Sequence, residues 1–387
     1  MNQFKKLNNY IGWAIFLIAS FVYLSTIEQT VSFWDCGEYI ATAYKLEVGH
    51  PPGAPLFQLF GRIFSLFAAQ GTSEVAVAIN IMSAICSSFT ILFLFWTITA
   101  FGKRIFLKTK KELEGSKIIA VLGSGIVGAL SYTFSDSFWF SAVEGEVYAM
   151  SSLFTAVTFW CIMKWEEEAD HPQASRWLVL IGYLIGLSIG VHLLSLLTIP
   201  AMGMIYYFKK YDYTKAGAIK AFVLSMAILG VVQGVIIPGA VSLISKFELF
   251  FVNTIGLPFN SGTIIYFLTI TAAITFGLIY TKKHNKAIWN TAILGVMMML
   301  IGYSSFAILV VRSNANPPID ENNPEDAVGL LSYLKREQYG SWPIVYGQHF
   351  NAKLDSRKPY LDGNPIYAKD EKKDKYVIID QRKNTVP

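Results

Sequence analysis

The sequence predicts an all-α, polytopic membrane protein, and three observations carry that reading. Apolar residues make up 53% of the 387 positions and charged residues only 15%, a balance far from that of soluble domains. The mean hydropathy is +0.43, and apolar runs approaching the roughly 20 residues that cross a bilayer recur along the chain. Lysines and arginines gather in short loops between alternate runs, as membrane orientation requires.

Spans are expected near 10–27, 75–101, 118–135, 147–164, 177–191, 193–208, 217–240, 261–281 and 287–311, about nine in all. The run 177–208 is apolar throughout with His192 near its middle. Read as a two-helix hairpin, it puts three basic loops on one side together with Lys5 and Lys6. These hold Lys103, Arg104, Lys108, Lys110, Lys111 and Lys117, then Lys209, Lys210, Lys215 and Lys220, then Lys282, Lys283 and Lys286. By the positive-inside rule that side is the cytoplasm. The acidic loop 165–176 falls there too, and the rule tolerates it because acids contribute little. The segments 28–74, 136–146, 241–260 and everything after Val311 then lie outside. Lys5 and Lys6 before Tyr10–Ile27 suggest a leader, but no small-x-small cleavage pattern follows, so an uncleaved first span is expected.

Within the first outer segment, Ala54–Ala69 places Phe57, Phe60, Phe64 and Phe67 at helical spacing, with Gln58, Arg62 and Ser65 on the other side. A helix lying in the membrane interface is expected. Residues 1–311 form the membrane unit. Residues 312–387 turn polar and begin an outer α/β segment, with a helix over Ala327–Gln338 capped by Asn323 ahead of Pro324 and strands at Trp342–Tyr346 and Lys375–Asp380. The polar ending suggests a piece of a longer protein. Leu122–Gly128 is glycine-rich but lacks a phosphate-loop lysine, so close helix packing is expected there.

Composition excludes several function classes. The net charge of +5 is accounted for by topology, and nothing points to nucleic acid. Cys36, Cys86 and Cys161 are widely spaced and form no disulfide or metal framework. The five histidines make no metal motif, and no cofactor is expected. Neither a G-x-S-x-G elbow nor a P-loop occurs.

Chemistry concentrates in Phe33–Gly53, FWDCGEYIATAYKLEVGHPPG. Asp35 and Glu38 have the spacing of a capping box at the start of a helix Gly37–Leu46. They are also ionisable groups at a membrane boundary among aromatic rings, which are costly there unless used or paired. The readings are compatible, with Asp35 the favoured base and Glu38 holding the helix start. His50 precedes two prolines, which fixes its backbone; it either contacts a phosphate or sugar, or makes a structural hydrogen bond. In SDSFWFSAVEGEVYAM, Glu146 is the acid chosen for sugar contact, beside Asp136 and Glu144. His192 is a further site candidate, and Arg62 and Arg312 are candidate phosphate partners or boundary anchors.

The run FWDCGEYIATAYKLEVGHPPGAPLFQLFGRI resembles the signature of a bacterial membrane family of formerly unknown function, common in Bacteroidetes and similar to a vertebrate transmembrane protein O-mannosyltransferase. WFSAVEGEVYAMSSL, GLSIGVHLLSLLTIPA and RSNANPPIDENNPEDAVGLLSYLKREQYG extend the resemblance along nearly the whole chain. More distantly the chain resembles the GT-C glycosyltransferases, polytopic enzymes that use polyprenyl-phosphate sugars and an acidic residue of the first outer loop. The resemblance implies a GT-C-like bundle in a bacterial inner membrane with a periplasmic C-terminal segment. It also implies inverting transfer of a sugar, mannose first, to Ser/Thr hydroxyls of exported proteins. Asp35 matches the first-loop catalytic acid and Glu38 the adjacent acid, while His50 stands where the GT-C lipid-sugar enzymes carry a lysine. A flippase of lipid-linked sugars, and a GT-C enzyme with a lipid or glycan acceptor, are the alternative readings.

Overall fold

A computed structural model describes residues 3–68, 71–106, 113, 115–340, 349 and 351–385. The expected strand Trp342–Tyr346 and the loop lysines Lys108, Lys110 and Lys111 lie outside the described residues.

The chain forms α1 (Gln3–Ser25), α2 (Cys36–Lys45), α3 (Pro55–Ser65), α4 (Val75–Phe106), α5 (Ser116–Thr133), α6 (Asp136–Ala142), α7 (Val147–Glu168) and α8 (Ser175–Ile189). There follow α9 (Thr198–Lys210), α10 (Lys215–Val231), α11 (Ile237–Leu249), α12 (Ser261–Lys283), α13 (Ala287–Tyr303), α14 (Ala307–Ser313) and α15 (Ala327–Leu334), then the antiparallel strands β1 (Tyr360–Asp370) and β2 (Lys375–Thr385). It is an all-α polytopic membrane protein with a small β-hairpin at its end.

Among the described residues seven helical stretches are long and apolar enough to cross a membrane, where the sequence suggests nine. The difference lies in 177–208, which forms α8 of 15 residues and α9 of 13 around a short 3₁₀ turn at Leu193–Leu197. The hairpin geometry itself is present: α8 starts beside the end of α7, and Lys210 at the end of α9 donates to Ala169 O at 2.9 Å. The second departure is 241–260. Instead of an outer loop, helix continues from Lys215 to Ile255, with π-helical turns at Val232–Ile236 and Phe250–Ile255. The first π turn directly precedes Pro238, whose missing N–H would interrupt a regular α ladder. At 1.5 Å per residue this rod is about 60 Å long, twice a hydrocarbon core.

Charged residues mark one end of the bundle. Arg104 pairs with Glu166, Lys103 with Glu167 at 3.9 Å, and Lys209 with Asp170 at 3.2 Å. The acids of 165–176 thus neutralise the basic loops beside them.

Helix α3 buries a mixed face: Leu56 and Phe57 are buried beside Gln58 and Ser65, whereas Phe60, and Phe67 just beyond the helix, are exposed. The four phenylalanines therefore do not share one outward face. The Gln58 amide donates to Thr42 Oγ1 at 3.1 Å, which satisfies the buried polar group.

Small residues set the closest helix approaches. On α5, a Cβ at Gly125 would stand 2.7 Å from the Phe95 ring, and one at Gly128 2.7 Å from Ile98, which bears out packing in Leu122–Gly128. Helices α8 and α13 come nearer still: a Cβ at Gly182 would lie 2.5 Å from Gly295 O, and Gly186 touches the Met299 carbonyl.

The segment after the last span docks back onto the bundle. Asp326, not Asn323, caps α15, accepting from the Val328 and Gly329 N–H groups at 2.8 Å. Asn323 has a left-handed backbone, and its side-chain oxygen accepts from Ser313. The hairpin is held through Tyr376, whose backbone exchanges two hydrogen bonds with the Asn253 side chain at 2.8 and 2.9 Å.

Gly186→Val should drive α8 from α13 at a backbone contact with no side chain to yield, at a cost of 1–3 kcal/mol or more. A lowered thermal midpoint in detergent checks this; an unchanged midpoint contradicts the packing.

Candidate active site

The site lies at the end of the bundle opposite the basic loops. Loop 28–34 leads into it, pinned by Asn80 of α4, whose amide donates to Glu28 O at 2.7 Å and Thr30 O at 3.1 Å. Asp35 occupies the N-cap position of α2, but its side chain makes no capping hydrogen bond. Its carboxyl is about half exposed and free for another task.

Glu38 does not reach back to close a capping box. Its carboxylate accepts the His50 backbone N–H at 2.5 Å and sits 3.1 Å from His50 Nδ1 through both oxygens. The chain gets there because α2 ends at Leu46 in a left-handed conformation and Glu47–Gly49 runs back along the helix. Gly49 is required at the crossing: a Cβ there would stand 2.6 Å from Glu38 Oε1. Burial alone would push the Glu38 carboxyl up, but the ring and backbone hydrogen bonds from His50 outweigh it and hold it below the usual carboxylate range. The same hydrogen bond raises the His50 imidazole against the opposing effect of burial.

With Nδ1 committed to Glu38, His50 turns Nε2 toward Asp35 Oδ2, 3.8 Å away. Tyr39 packs on the ring with centroids 5.5 Å apart. The turn after His50 closes with Gly53 N donating to His50 O at 2.9 Å. It is clamped from far along the chain, since the buried Tyr333 hydroxyl donates to Gly49 O at 2.6 Å. Val48 bridges to Asp320, and Glu321 N donates to Val48 O at 3.0 Å, which brings the Glu321 carboxylate under the influence of Glu38 and His50.

Glu146 joins this group from the start of α7. It is 6% exposed, and its Oε2 accepts from Val147 N at 2.6 Å. Burial pushes its carboxyl up to about 7, with the charges of Asp35 and Glu144 acting the same way. Two residues on, Tyr148 packs against His192 at 5.5 Å. His192 spends Nδ1 on the Leu194 N–H at 3.1 Å, so it caps the 3₁₀ turn and flanks the site.

Arg62 and Arg312 are elsewhere. Arg62 donates to Tyr44 O at 2.6 Å, and Arg312 to Leu46 O at 2.5 Å and Lys45 O at 3.3 Å. Both cap the C-terminal carbonyls of α2, about 15 Å of helix away from Asp35. The structure therefore gathers Asp35, Glu38, His50 and Glu146, sets His192 beside them, and leaves both arginines at the far end of α2. Glu321, Tyr333 and Asn80 are the contributors missed in the sequence. Only Glu321 carried a signal, as an acid in the polar stretch after the last span.

The Glu146 shift has a definite sign. Below about 4.5 the carboxyl is protonated in folded and unfolded chains alike. Between about 4.5 and about 7 the folded protein keeps a proton that the unfolded chain releases, so its contribution to stability falls as pH rises through that window. Glu146→Gln should therefore gain thermal stability relative to the parent at pH 8 compared with pH 5; parallel pH profiles would contradict the buried, proton-holding state.

Residues 35–215 match the family model described as Protein O-mannosyl-transferase TMEM260 N-terminal domain, and residues 340–386 match a family of unknown function, DUF8416. The Protein O-mannosyl-transferase tmem260 of Dictyostelium discoideum is 30% identical over 143 residues, 37% of this chain and 15% of the relative. The Protein O-mannosyl-transferase TMEM260 of Mus musculus is 25% identical over 176 residues, 46% of this chain and 22% of the relative. The matches thus span less than a quarter of either relative's length. No solved structure matches the chain. The stretch of this membrane protein that carries Asp35, Glu38, His50, Glu146 and His192 resembles the N-terminal domain of the TMEM260 protein O-mannosyl-transferases.

Proposed function

We propose that the protein is an inverting glycosyltransferase, moving a sugar, mannose first, from a polyprenyl-phosphate donor to Ser/Thr hydroxyls of exported proteins at the outer face of the membrane. The observation that carries this reading is the half-exposed Asp35 carboxylate, unspent on capping, within a stretch that resembles the TMEM260 protein O-mannosyl-transferases.

An alcohol is a weak nucleophile, so its proton must be taken up as it attacks. In the proposed reaction the acceptor oxygen forms a bond to the anomeric carbon and its proton passes to the Asp35 carboxylate. The bond from that carbon to the phosphate oxygen breaks, and the electron pair leaves with the lipid phosphate. One displacement inverts the anomeric centre. Glu38 holds the His50 ring by hydrogen bonds, and the ring stands beside Asp35 as an orienting neighbour. Glu146, Tyr148 and His192 offer polar groups with aromatic faces, suited to sugar hydroxyls. A donor with an isoprenoid tail stays in the bilayer, which accounts for the exposed apolar surfaces of α3 and α12. We place the basic end in the cytoplasm by the positive-inside rule and the site outside.

Asp35→Asn removes the proton acceptor while leaving the fold intact, because the side chain makes no structural hydrogen bond. Transfer from a polyprenyl-phosphate mannose to an acceptor peptide should fall at least about 10²-fold with an unchanged thermal midpoint. Undiminished transfer in the folded variant would refute Asp35 as the base. Movement of lipid-linked sugar across vesicles without any group transfer would favour a flippase instead.

A further inference from the structure

The end of the bundle away from the candidate active site has a cavity of its own. It encloses about 600 Å³, a volume in the range of small-molecule sites. Lys5 of α1, Lys103 of α4 and Lys164 of α7 line it, together with Trp96, Trp160 and Trp177. Lys5 and Asn9, also in the lining, are exposed, so the cavity reaches the protein surface.

Its place follows from how the core divides. Helices α1, α4 and α5 bury their apolar faces in one cluster, against which Trp96 packs. Helices α7, α8, α9 and α13 contribute to another, against which Trp160 and Trp177 pack. The two cores meet here through Trp96 and Trp160, whose ring centroids are 6.0 Å apart, and Trp177 stands edge-on to Trp160 at 5.9 Å. The cavity is therefore a seam between two cores, walled by indoles.

The lining is also positive. Of its acids, Glu168 is spent on Arg176 and on the Trp177 N–H, each at 2.8 Å. Glu167 accepts from Lys164 at 2.8 Å and stands 3.9 Å from Lys103. The ion pairs among the described residues leave Lys5 out. Three lysines thus share one available carboxylate. Lys5 lies in the first turn of α1, Lys103 in the last turn of α4 and Lys164 near the end of α7, the depth at which span ends meet lipid headgroups.

We propose that this cavity binds the headgroup of one anionic glycerophospholipid, with its phosphodiester at Lys5 and Lys103 and its glycerol esters against the tryptophans. The excess of lysine favours a headgroup with net negative charge over a zwitterionic one. Indole rings suit the interfacial ester region, where one side of the ligand is apolar and the other wet. A soluble phosphate would satisfy the lysines and leave the tryptophan wall uncovered. Basic pockets between spans at the cytoplasmic face take such headgroups, and the topology proposed above puts this end there. A lipid in the seam bridges the two cores and stabilises the folded chain by mass action.

The test is native mass spectrometry of the delipidated full chain in detergent, titrated with phosphatidylglycerol, phosphatidylcholine or inorganic phosphate. One phosphatidylglycerol per chain should bind saturably and raise the thermal midpoint, whereas phosphatidylcholine binds more weakly. Lys5→Gln should weaken the step about fivefold, the loss expected of one lysine near an anionic headgroup. Ala100 lines the same cavity, and Ala100→Phe, which fills space and leaves every charge in place, should remove the saturable step. Lys282→Gln, the same charge loss on α12 outside the lining, should leave it unchanged. Thermal midpoints without lipid confirm that each variant is folded. No saturable binding by the parent, equal binding of phosphatidylcholine, or equal loss in Lys5→Gln and Lys282→Gln overturns the site. Displacement of the lipid by an equal concentration of inorganic phosphate overturns the lipid as its occupant.

Discussion

The Glu38–His50 contact is the constraint on which the site depends. One carboxylate accepts both the backbone N–H and the ring N–H of a residue twelve positions later, which ties the start of α2 to the turn that follows its return strand. Gly49 is the residue that lets the two approach. Once the tie is made, the direction of His50 Nε2 and its distance from Asp35 follow. Because burial opposes the charge on Glu38 and the hydrogen bonds from His50 prevail, the carboxylate is held below its usual range and oriented at the edge of an apolar bundle, where an unpaired carboxylate is disfavoured.

The surrounding architecture reinforces this tie from distant parts of the chain. Tyr333 clamps Gly49 across 284 residues of sequence, and the 319–321 backbone pairs with Val48. Arg62 and Arg312 close the other end of α2, whose terminal carbonyls would otherwise lack partners. The short helix that carries Asp35 is thus satisfied at its C-terminus by guanidinium groups, while its N-cap side chain stays free. Most hydrogen-bonding capacity nearby goes into holding α2 still, and the Asp35 carboxylate is left out of that economy.

Much of the fold was legible in the sequence because lipid imposes simple demands. Apolar length located α1, α4, α5, α7 and α12 closely, and the lysine and arginine count required the α8–α9 hairpin that Lys210 and Ala169 close. The continuation of helix through 241–255 was not legible, because the expected span 217–240 already fills a bilayer and apolar length alone gives no reason for the helix to run on. In the site, Asp35, Glu38 and His50 were legible because they lie within one short segment and carry unusual charge for their setting. Arg62 and Arg312 were misleading for a physical reason: sequence displays a cation but not the backbone carbonyl it serves. Glu321 and Tyr333 reach the site only through folding across more than 270 positions, and no periodicity encodes that.

The central claim is that a single carboxylate, Asp35, takes the acceptor proton while the sugar is displaced directly from its phosphate. The anomeric configuration of the product tests this most directly, read by nuclear magnetic resonance from a lipid-phosphate mannose donor of known configuration and an acceptor peptide. The account predicts complete inversion at the anomeric carbon. Retention of configuration would require a glycosyl-enzyme intermediate and a second displacement, and would contradict it.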